Sequence, residues 1–210
     1  MSEVITIGPH RVRHGDLRDE GAIDELMQGE VADFIYGDPP WGAGNLNYWQ
    51  TLNKKHTGAV PVKVDYDSFQ DLYFKTVFEC TKDVAIIEYG QRWRKGIIAM
   101  AEGMGFHHIG VTDSTYTSQR MPMDVHMLSK SGNAEMTNEV RACCFNYFGY
   151  KLVREMFKIL VPKETAIVMD PTCGMGWTAR ACIENGIAFR GNELNSKRLS
   201  KTIARLEKSL

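Results

Sequence analysis

Short runs of apolar residues recur along the chain, and most of them are bounded by glycine, proline, asparagine or aspartate. Runs of this kind, rich in Val, Ile, Phe and Tyr, are typical of buried β-strands. We therefore predict strands at residues 10–14, 31–36, 84–89, 106–111, 125–129, 166–169 and 188–192.

Between these runs, apolar residues return every three or four positions, which is the spacing of one face of an α-helix. The last predicted helix, for example, places Leu199, Ile203 and Leu206 on a single face. The pattern predicts helices at residues 19–28, 66–80, 96–104, 177–185 and 196–210, and one or two helices within 138–160. We interpret residues 42–65, which are rich in glycine, asparagine, lysine and proline, as a long mobile loop.

Strands and helices alternate from one end of the chain to the other. This order favours an α/β fold with a doubly wound, mostly parallel sheet. The strands at 106–111 and 125–129 are separated by a polar loop instead of a helix, so we expect them to form an antiparallel hairpin at the sheet edge. A chain of 210 residues is also short enough to predict a single domain.

Composition narrows the classes of function. Hydrophobic residues make up 43% of the chain and charged residues 24%, as in an ordinary globular domain. No apolar run is long enough to span a membrane, and the first residues lack the apolar stretch of a signal peptide, so we expect a cytoplasmic protein without a membrane partner. The five cysteines include no CxxC pair, and we expect no metal. The net charge of −1 gives no overall attraction to phosphate.

A glycine-rich segment follows the strand predicted at 166–169. It reads Asp170-Pro171-Thr172-Cys173-Gly174-Met175-Gly176 and opens the helix predicted at 177–185. Glycines at such a turn let a ligand approach the backbone closely. Glu193, at the end of the next strand, stands where a carboxylate commonly binds ribose hydroxyls. The segment predicts a site for an adenosine-containing cofactor, with NAD as one alternative.

A second motif, Asp38-Pro39-Pro40-Trp41, directly follows the strand predicted at 31–36. In an open parallel sheet, the carboxyl ends of the strands carry the site. An exocyclic base amine is a poor nucleophile because its lone pair is delocalised into the ring. Asp38 can accept one of its N–H groups and a carbonyl at Pro39 the other, which directs the lone pair at a methyl donor. The prolines fix that carbonyl, and Trp41 offers a face to an extruded base.

The order of these two motifs resembles that of the β group of S-adenosylmethionine-dependent DNA amino-methyltransferases, in which the catalytic motif precedes the cofactor motif. The opening His14-Gly15-Asp16 and the closing Phe189-Arg190-Gly191-Asn192-Glu193-Leu194 resemble the same group. The resemblance covers nearly the whole chain. It implies a circularly permuted, Rossmann-like methyltransferase fold, with a catalytic half in residues 1–130 and a cofactor-loop half in residues 140–210.

The resemblance also implies the cofactor and the roles of individual residues. The cofactor is S-adenosylmethionine. Aspartate at position 38 favours methylation of adenine N6, since the cytosine-N4 enzymes usually have serine there. Asp16 matches a position near the adenine of the cofactor. The predicted catalytic residues are Asp38, Pro39, Pro40 and Trp41, and the predicted cofactor-binding residues are Asp16, Asp170, Pro171, Thr172, Cys173, Gly174, Gly176, Glu193 and Leu194.

The chain departs from this family at two places. Thr172-Cys173 replaces the more usual Phe-x, and only residues 130–139 are available for a target-recognition region. A region this short implies relaxed specificity, or recognition through a homodimer or a separate specificity subunit. DNA is the expected partner. RNA adenosine, cytosine N4 and a catalytically silent partner subunit are the alternatives.

Two groups that combine basic and aromatic residues are candidates for contact with nucleic acid. The first follows the strand predicted at 84–89 and consists of Arg92, Trp93, Arg94 and Lys95. The second lies in the segment 42–65 and includes Tyr48, Trp49, Lys54 and Lys55. We interpret the basic residues of the last helix, among them Arg198, as a solvated face.

Overall fold

The computed structural model describes residues 3–58, 65–118, 121–162 and 164–210. Its strands, in chain order, are β1 Glu3–Ile7, β2 His10–His14, β3 Ala32–Gly37, β4 Thr81–Gly90, β5 His107–Thr115, β6 Pro122–Ser129, β7 Ile167–Asp170 and β8 Ala188–Glu193. All of them belong to one eight-stranded sheet in the order β1-β2-β8-β7-β3-β4-β6-β5.

The five strands β2, β8, β7, β3 and β4 run parallel through the middle of this sheet. At one edge β6 and β5 add an antiparallel hairpin, which confirms the predicted fold class. At the other edge β1 pairs antiparallel with β2. The sequence pattern did not reveal β1, because this edge strand is partly exposed and its apolar residues do not form a continuous run.

Eight helices cover the two faces of the sheet in the described ranges. They are α1 Ala22–Met27, α2 Ala43–Thr57, α3 Tyr66–Cys80, α4 Arg94–Gly103, α5 Asn138–Asn146, α6 Tyr150–Leu160, α7 Trp177–Asn185 and α8 Ser196–Glu207. Helices α1–α4 pack on one face and α5–α8 on the other. Because side chains alternate along a strand, Phe34 and Tyr36 enter the core beneath α5–α8, whereas Ile35 enters the opposite core.

Helix α2 replaces most of the predicted loop over 42–65, so that prediction is wrong; residues 59–64 lie outside the described ranges. The helix ends at Gly58, whose φ of 74° is the left-handed conformation that commonly terminates helices. The side chains that it buries are Leu46, Gln50 and Asn53. Because two of these three are polar, the segment lacks the apolar periodicity by which a helix is recognised in a sequence.

The remaining predicted elements are present: β2, α3 and α7 have the predicted bounds, and the others have shifted ends. Helix α1 begins at Ala22, later than predicted, because a turn precedes it. Strand β5 continues to Thr115, beyond the predicted end, as it stays paired with β6. The segment 138–160 contains two helices, which Gly149 separates with a φ of 57°. No helix in the described ranges is both long and apolar enough to cross a membrane.

Candidate functional site

The predicted catalytic and cofactor segments meet at the carboxyl edge of the parallel strands. Asp38 follows β3, Asp170 ends β7 and Glu193 ends β8. A cavity of about 180 Å³ opens at this edge, as expected for an open parallel sheet. It is lined by Asp38, Pro39, Pro40, Trp41, Asp16, Thr172, Glu193 and Leu194, among others. An adjoining cavity of about 60 Å³ is lined by Asp38, Asp170, Thr172, Cys173 and Gly174, among others.

Two aromatic side chains hold the carboxylate of Asp38. Its Oδ1 accepts a hydrogen bond of 3.0 Å from the indole Nε1 of Trp41, and the hydroxyl of Tyr116 is its second donor. The two rings meet edge to face, with their centroids 5.0 Å apart. Burial raises the pKa of Asp38 to about 6, and the hydrogen bonds from Tyr116 and Trp41 oppose the rise. The carboxylate therefore has a fixed direction and is mostly ionised at neutral pH.

The loop after Asp38 is also fixed through its backbone. The carbonyl of Pro40 accepts hydrogen bonds of 3.1 Å from the hydroxyl of Tyr66 and 3.3 Å from that of Tyr89. Helix α3 and strand β4 thus hold the loop from outside the cavity. Trp41 is half-buried and helps to position Asp38 in addition to lining the cavity.

Asp170 shapes the glycine loop from beneath. Its Oδ1 accepts a 3.0 Å hydrogen bond from the backbone N–H of Thr172, and its Oδ2 accepts one of 2.7 Å from the hydroxyl of Thr178. Burial raises the pKa of Asp170 to about 7, while these two hydrogen bonds oppose the rise. The side chain is buried, so its main effect on a ligand is through the conformation of the loop.

Two glycines of this loop occupy positions that other residues could not fill. Gly174 has a φ of 54° and Gly176 a φ of 77°, both in the left-handed region. A Cβ atom at Gly176 would lie 2.6 Å from Oγ1 of Thr202, and one at Gly174 would clash with Nη2 of Arg198. Helix α8 therefore packs directly on the loop, and its side chains take the space that the glycines leave.

Glu193 is buried and joins the end of β8 to the glycine loop. Its two oxygens accept hydrogen bonds of 2.8 Å from the N–H of Gly174 and 2.7 Å from that of Asn195. Burial raises the pKa of Glu193. Each carboxylate oxygen has a second lone pair, so both can still accept a hydroxyl from the cavity. The residue can anchor the loop and bind a ribose at the same time.

The other end of the larger cavity combines apolar walls with a carboxylate. Leu17 and Leu194 line it, and the carbonyl of Leu194 is 3.1 Å from Nε2 of His14. Asp16 forms an ion pair of 2.7 Å with Arg18. An apolar slot beside a fixed carboxylate can take the flat face and the polar edge of an adenine ring.

The residues of the site that the prediction missed include the apolar Leu17 and three polar residues. Tyr116 follows β5 in a polar segment that gives no signal of its contact with Asp38. Glu88 lines the smaller cavity and accepts a hydrogen bond from the buried hydroxyl of Tyr36. Its position as a lone acid within an apolar run was a signal that could have identified it. Burial, together with the charge of Asp38, raises the pKa of Glu88 to about 8. The third residue is Arg198, which lines both cavities, so its predicted place on a solvated face is wrong.

The predicted nucleic-acid contacts on α2 divide into two kinds. Trp49 lines the cavity, and the guanidinium carbon of Arg198 lies 4.1 Å from the centroid of its ring. Tyr48 is exposed and meets Trp49 edge to face. Lys54 and Lys55 are exposed on the last turn of this helix, and they are therefore not on a mobile loop as predicted.

The group that follows β4 is divided as well. Arg94 forms ion pairs with Asp113 and with Asp124, and the side chain of Asp124 is fully buried. The guanidinium of Arg94 therefore already has partners within the protein. This contradicts its predicted role as a free phosphate contact. Arg92 and Lys95 are exposed, and Arg92 lies over the half-buried ring of Trp93 at 3.7 Å.

In the ranges that the structure describes, no three His, Cys, Asp or Glu side chains are arranged to hold a metal ion. All five cysteines are free and buried. Burial raises the pKa of Cys173 well above its usual range, so its thiol stays protonated at neutral pH. Its sulfur would lie 3.0 Å from a Cβ atom at Gly191, so a glycine on β8 makes room for it.

Several solved structures share this fold over almost their whole length. The M1.HpyAVI–SAM complex aligns with a TM-score of 0.66 at 16% identity, over 93% of this chain and 98% of that one. TTHA0409 from Thermus thermophilus, in complex with S-adenosyl-L-methionine, gives 0.65 at 17% identity, over 95% and 94%. PvuII DNA methyltransferase, which is cytosine-N4-specific, gives 0.64 at 14% identity, over 97% and 91%. No protein-family model matches the sequence, and neither does any curated protein. The chain thus has the class I methyltransferase fold that was predicted.

Proposed function

We propose that this protein transfers a methyl group from S-adenosylmethionine to the N6 amino group of adenine in DNA. The observation that carries the proposal is the position of Asp38. Its half-buried carboxylate faces the same cavity as the glycine loop and Glu193, so that an amine acceptor and a cofactor site share one space. The fold that the chain shares with solved methyltransferases supports this interpretation.

The residues around the cavities fit the cofactor from one end to the other. Leu17, Leu194 and Asp16 would hold its adenine, and Glu193 its ribose hydroxyls. The glycine loop from Asp170 to Gly176 would lie along its amino-acid portion. When bound, S-adenosylmethionine supplies an electrophilic methyl group on a sulfonium. The carboxyl groups in both cavities favour that positive charge.

Asp38 would accept one N–H of the target amine, and the backbone carbonyl of Pro39 the other. Two acceptors pull the nitrogen towards a pyramidal shape and release its lone pair from the ring. The lone pair would then point at the methyl group that the bound cofactor supplies, and the sulfur of the cofactor would keep the electron pair of the broken carbon–sulfur bond. The amine now carries one proton too many, and Asp38 or water removes it. Positioning and polarisation supply the catalysis.

The target base must leave its duplex to reach Asp38, at a cost of a few kcal/mol. The exposed cations Arg92, Lys95, Lys54 and Lys55 would hold the phosphates around it. Residues 130–139 offer little surface for reading bases. We therefore propose that the protein alone shows loose sequence preference, and that strict specificity would need a homodimer or a separate specificity subunit.

The test of this function is nucleoside mass spectrometry after the protein and S-adenosylmethionine are incubated with DNA and, separately, with RNA. We expect N6-methyladenine in DNA, with single strands methylated at least as well as duplex. If the product were N4-methylcytosine, or if it formed in RNA alone, the proposed substrate would be wrong but methyl transfer to a base amine would stand. No product in any nucleic acid, from protein that binds the cofactor, would favour a catalytically silent subunit.

A further inference from the structure

Arg198 on α8 reaches over the glycine loop into both cavities. Its Nη2 atom would clash with a Cβ atom at Gly174. On the other side, its guanidinium carbon lies 4.1 Å from the centroid of the Trp49 ring. The guanidinium is therefore held between the loop and α2, at the entrance to the proposed methionine subsite.

The charges around Arg198 are one-sided. The larger cavity is lined by the acids Asp16, Asp38 and Glu193, and the smaller one by Asp38, Glu88 and Asp170. Of the described residues, Arg198 is the single basic side chain that lines either cavity. No carboxylate of the described ranges forms an ion pair with it within 4.0 Å, although Asp38 and Glu193 feel its charge. A half-buried cation without an ion pair, aimed into a cavity, points to an anionic ligand.

Its neighbours on α8 do not share this arrangement. Arg205 donates a 3.0 Å hydrogen bond to the carbonyl of Met175, and Lys201 lies against the sulfur of the same residue. Lys197, the residue next to Arg198, is exposed. Arg198 is thus distinguished from the other basic residues of the helix by its direction, and Lys197 provides a matched control.

We propose that Arg198 binds the carboxylate of the cofactor's amino-acid portion and so makes the site selective for nucleosides that carry this portion. The inference rests on the proposed function. The acids that line the cavities favour the sulfonium and the ammonium of S-adenosylmethionine. Among the basic side chains of the described ranges, only Arg198 is placed to bind its carboxylate. A guanidinium offers two parallel N–H donors that match a carboxylate. Stacking on Trp49 holds it in place before the ligand arrives.

The experiment is a calorimetric titration with two nucleosides that differ in the amino-acid portion. S-adenosylhomocysteine has the carboxylate, and 5′-methylthioadenosine lacks it. Arg198→Met keeps the length of the stem but removes the charge. A charge-assisted hydrogen bond of about 1.5–3 kcal/mol corresponds to a loss of about 10- to 150-fold in the affinity for S-adenosylhomocysteine. The affinity for 5′-methylthioadenosine should be unchanged. Arg198→Lys should retain part of the difference, and Lys197→Met should behave as the wild type.

Several results of these titrations would overturn the proposed role of Arg198. Equal losses for both nucleosides would show that Arg198 only supports the fold of the site, and unchanged affinity for S-adenosylhomocysteine would also overturn the inference. If Arg198→Met weakened DNA binding alone, the arginine would be a phosphate contact and the inference would be wrong. If the wild type bound neither nucleoside, the proposed function itself would fail.

Discussion

At the scale of single residues, the site depends on keeping one carboxylate charged and aimed within a cluster of acids. Asp38 is surrounded by Glu88 and Asp170, and burial raises the pKa of all three. The pKa of Glu88 rises to about 8, because burial and the charge of Asp38 both raise it. The pKa of Asp38 rises only to about 6, because Tyr116, Arg198 and Trp41 support its charged form. At neutral pH, Glu88 is thus mostly protonated, whereas Asp38, the amine acceptor, is mostly ionised.

This difference predicts the pH dependence of the reaction. Protonated Asp38 cannot accept an amine N–H, so kcat/KM should fall as the pH drops through about 6, the pKa of Asp38 in the free protein. Tyr116→Phe removes a hydrogen bond that lowers this pKa, and the acidic limb should move to higher pH. Methyl transfer measured between pH 5 and pH 9 checks both expectations. Tyr48→Phe, on the exposed face of α2, should leave the limb in place. A limb that Tyr116→Phe does not move would exclude Asp38 as its origin.

At the scale of elements, apolar periodicity predicted most strands and helices. It did not predict a helix whose buried face is largely polar. Helix α3, with Phe69, Tyr73 and Val77 on one side, was predicted within its observed bounds. Helix α2 was missed because Gln50 and Asn53 share its buried face with Leu46. The glycine loop and the Asp38 motif were recognisable because their chemistry lies in consecutive residues. Tyr116, Glu88 and Arg198 come from separate elements that only the fold brings to Asp38.

Helix α2 leads to a prediction about stability. If residues 43–57 pack as a helix, Leu46→Ala leaves a cavity in the core and should lower the free energy of unfolding by about 2–4 kcal/mol. The neighbouring Asn47 is exposed, and Asn47→Ala should change it by less than about 0.5 kcal/mol. Equilibrium urea denaturation measures both. Equal, near-zero effects of the two substitutions would show that this segment is the mobile loop predicted from its composition.

At the scale of the whole molecule, a chain with a net charge of −1 has to bind a polyanion through a local patch. The structure separates basic residues that can form such a patch from those that cannot. Arg92 and Lys95 are exposed beside the site, whereas Arg94 neutralises the buried carboxylate of Asp124. The sequence could not distinguish the three, because the partners of Arg94 lie on β5 and β6, beyond the reach of local patterns.

The distinction can be tested with a pair of variants. Replacing Arg92 and Lys95 by alanine should weaken DNA binding evenly across sequences and reduce the slope of log K against log salt by about 1–2. Arg94→Ala should instead lower the free energy of unfolding by about 1–3 kcal/mol, since it leaves Asp124 buried without its partner. Fluorescence anisotropy at several salt concentrations and thermal unfolding separate the two effects. A salt slope that changes only in Arg94→Ala would reverse this assignment.

The most direct test of the proposed chemistry is the single-turnover rate of methyl transfer by Asp38→Asn at saturating cofactor. Asparagine keeps the size of the side chain and an oxygen for the indole of Trp41, but it loses the charge that polarises the amine. We expect a rate about 10²–10³-fold below that of the wild type. Affinity for S-adenosylhomocysteine should be nearly unchanged. A rate equal to that of the wild type would contradict the role of Asp38 and, with it, the mechanism.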